Sequence, residues 1–283
     1  MFKSFSTSWT LIKSSANVLK ADKELIIFPI LSTFSVLILS AVFFVPMLLV
    51  GFFNSVSQQG LQLVDYLILF LFYILQYLII FLSNTALVGA AMIRIRGGDP
   101  TVRDGLKIAF ARFVPIFFYA MIAATVGVLL SFMKNKSNRL GGFVVSLIGF
   151  VWNVATFLVV PILAVEDVGP IDAIKRSVSY LKKTWGEQLV GSFSISTVFN
   201  LIIFGMILLA VAAIALVAYI SGPIWIMIAI GILLILAILI LSLVNSALTG
   251  IYTAAVYQYA TTGEAGKFFD PTVVQDAFHP ANR

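Results

Sequence analysis

Residues Val159 to Gly191 read VVPILAVEDVGPIDAIKRSVSYLKKTWGEQLVG. The stretch closes one apolar run, breaks at Gly169-Pro170, continues as a basic amphipathic helix and turns near Trp185 into a second apolar run. In the helix, Ile171, Ile174, Val178, Leu181 and Trp185 recur at steps of three and four, the period of one helical face. Lys175, Arg176, Lys182 and Lys183 point in other directions. A chain that leaves a bilayer, lies along its surface and re-enters it has this pattern.

Outward from that stretch the same plan recurs. Upstream, Phe2, Phe5, Trp9, Ile12, Ala16 and Leu19 mark the apolar face of a first amphipathic helix, with Lys13 and Lys20 off it. The apolar run Leu25 to Phe53 follows, then a polar turn at 54–60 and a second run from Leu61 to Ile93. Asp99-Pro100 predicts a helix N-cap with proline at the first helical position. The segment Thr101 to Phe113 sets Val102, Leu106, Ala109 and Phe113 on one face against Arg103, Asp104, Lys107 and Arg112. Spans are expected over Phe113–Met133, Leu140–Val165, from just before Glu187 to Ile220, and from Ile224 toward Gly263. Each is near the roughly 20 apolar residues that cross a bilayer.

The expected fold is therefore all-α: six transmembrane helices as three hairpins, each preceded by an amphipathic helix. It forms one membrane domain over 1–263, with repeat-like units at 1–97, 98–168 and 169–263 and a polar tail at 264–283. Composition agrees. The 283 residues are 61% hydrophobic and 11% charged, against a charged share of about 25% in soluble domains. The net charge of +6 is too small and too spread to suggest nucleic acid. Met1 to Lys20 has no apolar core of the signal-peptide kind. Fifteen of the Lys and Arg residues fall on the side of the termini and three, in the 134–139 turn, on the other. The positive-inside rule then sets both termini and all three amphipathic helices in the cytoplasm.

Little points to catalysis. With no cysteine and one histidine, His279, a thiolate nucleophile, a His-based triad and a multi-histidine metal site are not expected within the chain. Nor is a phosphate-binding loop or a cofactor. Glu166, Asp167 and Asp172 form the densest acidic group and are read as caps of the helix that follows, where acid suits the positive end of the dipole. The stretches Asn84-Thr-Ala-Leu-Val-Gly89 and Asn245-Ser-Ala-Leu-Thr-Gly250 match, with Asn153-Val-Ala-Thr as an echo. Asn84, Asn153 and Asn245 either join helices through hydrogen bonds or line a cavity, and Glu24 and Glu187 occupy similar places where surface helices enter spans. Contacts with anionic lipid or a partner are expected from Trp9, Lys13, Lys20, Arg103, Lys107, Arg112, Lys175, Arg176, Lys182, Lys183 and Trp185. Small-residue helix faces permit a homo-oligomer.

The stretches SWTLIKSSANVLKADKELIIFP and VVPILAVEDVGPIDAIKRSVSYLKKTWGE resemble an uncharacterised prokaryotic six-span family of unknown function. The second is also similar to membrane domains found beside glycerophosphodiester phosphodiesterases, through Glu166-Asp167 and Ala173-Ile-Lys-Arg-Ser177. The resemblance implies a prokaryotic inner-membrane home and a lipid-related setting, and no activity. The function expected is that of a non-enzymatic scaffold or lipid- or partner-binding component. The alternative is a transporter or channel for a small or lipidic solute.

Overall fold

The computed structural model describes residues 2–52, 56, 60, 62–136, 139–185, 195–264 and 266–269. They are helical almost throughout. The helices are α1 (Phe2–Ala21), α2 (Ile27–Leu49), α3 (Leu63–Ile95), α4 (Val102–Ala111), α5 (Phe113–Lys136), α6 (Arg139–Ala155), α7 (Val159–Val165), α8 (Pro170–Trp185), α9 (Ile195–Tyr219) and α10 (Ile224–Thr262). Among the described residues six stretches are long and apolar enough to cross a bilayer: Lys23–Leu49, Leu63–Ile95, Phe113–Lys134, Gly141–Val165, Val198–Tyr219 and Ile224–Thr262.

Helix length explains where the core lies. α3 has 33 residues and α10 has 39, or about 50 and 58 Å at 1.5 Å per residue. The hydrocarbon layer is only about 30 Å thick. Both helices therefore carry several turns beyond it, and those turns are where burial concentrates. In α3 the buried run is Thr85–Met92 with Ile95; in α10 it is Ala247, Leu248, Ile251 and Thr253–Gln258. The opposite halves leave Leu63, Leu67, Trp225, Ile232 and Leu236 exposed, as suits a lipid-facing surface. Burial is thus confined to one end of the bundle, the basal end, around α3, which touches α1, α2, α4, α5, α7 and α10. Successive spans also lie side by side, α2 with α3, α5 with α6 and α9 with α10.

The span expected over Leu140–Val165 is broken. α6 stops at Ala155 and α7 resumes at Val159. Pro161 has no N–H to give to Phe157, and its ring crowds that residue's carbonyl, so the preceding turn cannot stay α-helical. The break frees the amide of Leu158, which donates to Ser177 Oγ at 3.1 Å and fixes α8 beneath the break.

Two expected caps are corrected. Asp99 is not an N-cap: α4 starts at Val102, and its cap is Thr101, whose hydroxyl accepts from Asp104 N while Asp104 accepts from Thr101 N. Asp99 instead pairs with Arg94 at 2.8 Å. Glu166 and Asp167 do not cap α8 either, as their partners below show. The first span is also shorter than expected, ending at Leu49 after a 3-10 turn at Lys23–Ile26.

Candidate functional site: the basal collar

Three short helices, α1, α4 and α8, surround the basal ends of α3 and α10. Each docks through small residues. In α4, Gly105 and Ala109 are buried; in α8, Ala173, Ser177 and Leu181; in α1, Ile12, Ser15 and Val18. A Cβ on Gly105 would lie 2.5 Å from Phe28 Cζ and 2.7 Å from the Ala86 carbonyl oxygen. Only a residue without a side chain lets α4 approach that closely. The matched motifs serve the same end. A Cβ on Gly89 would lie 2.9 Å from Ile108 Cδ1, and one on Gly250 would lie 2.4 Å from Leu87 Cδ2. The motif of α10 therefore receives a side chain from the motif of α3.

Polar links close the collar at its rim. Arg94 donates to the Ala21 carbonyl at 2.9 Å, to the Gly98 carbonyl at 3.1 Å and to Asp99, joining the end of α1 to the end of α3. Glu24 accepts from the Val102 amide at 3.0 Å, a carboxylate at the positive end of α4. Arg96 donates to Gln258 at 3.4 Å. Glu166, 14% exposed, holds the other side. It accepts from Tyr257 at 2.8 Å and Tyr180 at 3.0 Å, and Arg176 pairs with it. Asp167 pairs with Arg112. These two adjacent carboxylates thus serve different cations on different helices and tie α8 to α10 and to the start of α5.

The electrostatics follow from these contacts. Burial pushes the Asp22 carboxyl above its ordinary value, against the hydrogen bond it accepts from Glu24 N. Asp104 is held below its ordinary value by the Thr101 hydroxyl and amide. The hydrogen bond to Glu166 raises the Arg176 guanidinium. Burial raises the Tyr180 phenol, and Glu166 beside it adds to the effect.

The residues picked out in the sequence separate into groups. Arg112, Arg176 and Lys175 are engaged by Asp167, Glu166 and Asp172. Lys13, Lys20, Arg103, Lys107 and Lys182 are exposed and carry no ion pair among the described residues. Glu24 is exposed at the rim rather than buried in a span. Asn84 is half-buried and Asn153 exposed; the Asn245 Oδ1 is buried with no hydrogen-bond partner, as are Thr85 Oγ1 and Thr249 Oγ1. Glu187 and the side chains of Trp9, Lys183 and Trp185 lie outside the described residues. Sequence reasoning missed Tyr180, Tyr257, Ser177 and Arg94. The i, i+4 pair of small residues Ala173 and Ser177 was the available signal for α8.

One family's sequence profile matches residues 63–268, from the first turn of α3 to the residues beyond α10. The chain belongs to DUF6159, a family of unknown function. No curated protein and no solved structure matches it. The DUF6159 match takes in α4, α8 and both asparagine motifs, so most of the collar is shared family sequence, while α1 and the first span lie before it.

Proposed function

We propose that the protein is a non-enzymatic integral membrane component whose basal collar binds anionic lipid headgroups. On this reading both termini face the cytoplasm of a prokaryotic cell, and the collar borders the inner leaflet. One observation carries it. The exposed, unpaired cations Lys13, Lys20, Arg103, Lys107 and Lys182 come from all three collar helices and stand beside exposed apolar side chains, Phe110 at 62% and Ile171 at 60%. Apolar residues at the hydrocarbon edge with cations just outside it match the order of chain and headgroup in a lipid. Each such cation contributes about 1 kcal/mol near an anionic surface. The likeness of the Glu166–Ser177 stretch to membrane domains beside phosphodiesterases of glycerolipid breakdown fits the same setting. A protein partner or a second copy on this face would use the same side chains.

Spin-labelled lipids in reconstituted bilayers test the reading. Labelled phosphatidylglycerol should be enriched next to the protein over phosphatidylcholine, and the preference should fade toward 1 M salt, where the Debye length is about 3 Å. Replacing the five cations with Gln should abolish the preference. An unchanged preference in that variant would remove the collar as its source.

A second reading, passage of a solute, is favoured by the buried and unpaired Asn245, Thr249 and Thr85 oxygens. Asn84→Cys and Asn245→Cys test it in a chain without cysteine. Rapid labelling of both by a charged thiol reagent supports a hydrated path; protection of both in folded protein refutes it.

A further inference from the structure

Outside the collar, α2 and α10 enclose a groove of about 330 Å³ that opens sideways, its wall including Thr33, Ile235, Leu239, Ser242, Leu243 and Ser246. Its size falls at the lower end of small-ligand sites. Its chemistry changes along its length. Ile235 and Leu239 lie toward the middle of α10, while Ser242 and Ser246 lie toward the basal end, just before the buried run that starts at Ala247. From Ile235 to Ser246 the rise is about 16 Å, close to half of the hydrocarbon layer.

The hydroxyls are the second observation. Elsewhere in the spans Thr125, Ser146, Thr156 and Thr253 donate to the carbonyl four residues back, at 2.8 to 2.9 Å. This is how a helix in hydrocarbon satisfies a hydroxyl on its own. Thr33, Ser242 and Ser246 make no hydrogen bond among the described residues. A hydroxyl left unpaired at this depth is costly. The acceptor that a bilayer offers between headgroup and chain is the ester carbonyl of a glycerolipid.

We infer that the groove between α2 and α10 binds one diacyl glycerolipid of the basal leaflet. One acyl chain lies along Ile235, Leu239 and Leu243, and its ester carbonyls accept from Thr33, Ser242 and Ser246. The site is blind to headgroup charge and stands apart from the collar. Its occupant is therefore held equally well when zwitterionic.

The test uses the full chain in detergent, titrated with diester phosphatidylcholine or its diether analogue and read by native mass spectrometry. Both lipids are zwitterionic, so loss of anionic selectivity at the collar leaves this measurement untouched. The diester should bind about tenfold more tightly than the diether, as expected for a few hydrogen bonds of membrane strength. Thr33→Val with Ser242→Ala and Ser246→Ala should bring the two lipids level. Leu239→Trp, which fills the groove, should weaken both about tenfold at unchanged helicity and melting temperature, and Leu243→Trp serves if the first variant misfolds. Equal retention of diester and diether by the wild type would overturn the assignment of the hydroxyls. Undiminished binding in a folded groove-filling variant would overturn the site itself.

Discussion

Gly105→Ala is the sharpest probe of how the collar is held. The added methyl would stand 2.5 Å from Phe28 Cζ, 2.9 Å from Phe28 Cε1 and 2.7 Å from the carbonyl oxygen of Ala86. Phe28 is itself buried, and the Ala86 oxygen belongs to the backbone of the central helix α3. Neither can yield without moving a helix. Overpacking of this kind costs about 1–3 kcal/mol, and a backbone obstacle sets it at the upper end. Exchanging Gly for Ala inside a helix returns about 1 kcal/mol. The expected net loss is about 1–2 kcal/mol, from the difference of those two terms. Reversible unfolding of the full chain in mixed micelles, followed by circular dichroism, measures it. Gly231→Ala is the control, because nothing lies within 4 Å of its added Cβ; it should be neutral or stabilising. If Gly105→Ala were as stable as Gly231→Ala, α4 would not be seated against α3 and Phe28, and the account of the collar would fail.

Three further outcomes follow from the same geometry. Glu166→Gln keeps an acceptor for Tyr180 and Tyr257 but leaves Arg176 without its counter-charge, and should cost about 1–3 kcal/mol in the same unfolding assay. Thr85→Val removes a fully buried hydroxyl that has no partner, so stability should rise by about 1 kcal/mol; a loss would reveal a water or ligand at that oxygen. Asp104 has its native pKa depressed below the ordinary 3.8 by Thr101. Its contribution is complete above 3.8 and disappears as pH falls through the depressed value. Asp104→Asn should therefore flatten the acid limb of a stability–pH profile and reduce the difference from wild type at lower pH.

The helical membrane class was legible because twenty-residue apolar runs admit no other solvent than lipid. What the apolar runs did not show was their true depth. α3 and α10 extend well past a bilayer, and the letters of Ala86–Met92 or Ile251–Tyr257 look alike whether they face lipid or protein. The faces of the collar helices were misplaced for a related reason. The sequence marks large apolar residues such as Ile171 and Phe113, yet these remain exposed, while Gly105, Ala109, Ala173 and Ser177 are the buried contacts. Close helix packing selects small side chains, which carry little signal in a hydropathy pattern. Glu166 and Asp167 were visible as an acidic pair, but their partners Tyr257 and Arg112 are 91 and 55 residues away. No local pattern encodes such distances. The break at 156–158 was within reach, since Pro161 dictates it.

The most direct test of the collar as a headgroup site is a photo-cross-linking map with a phosphatidylglycerol that carries a diazirine on its headgroup. In native membranes the cross-links should fall on peptides containing Lys13, Lys20, Arg103, Lys107 and Lys182, and disappear when those five residues are Gln. Cross-links confined to the 134–139 turn at the other end of the bundle, or equal labelling of the variant, would contradict it.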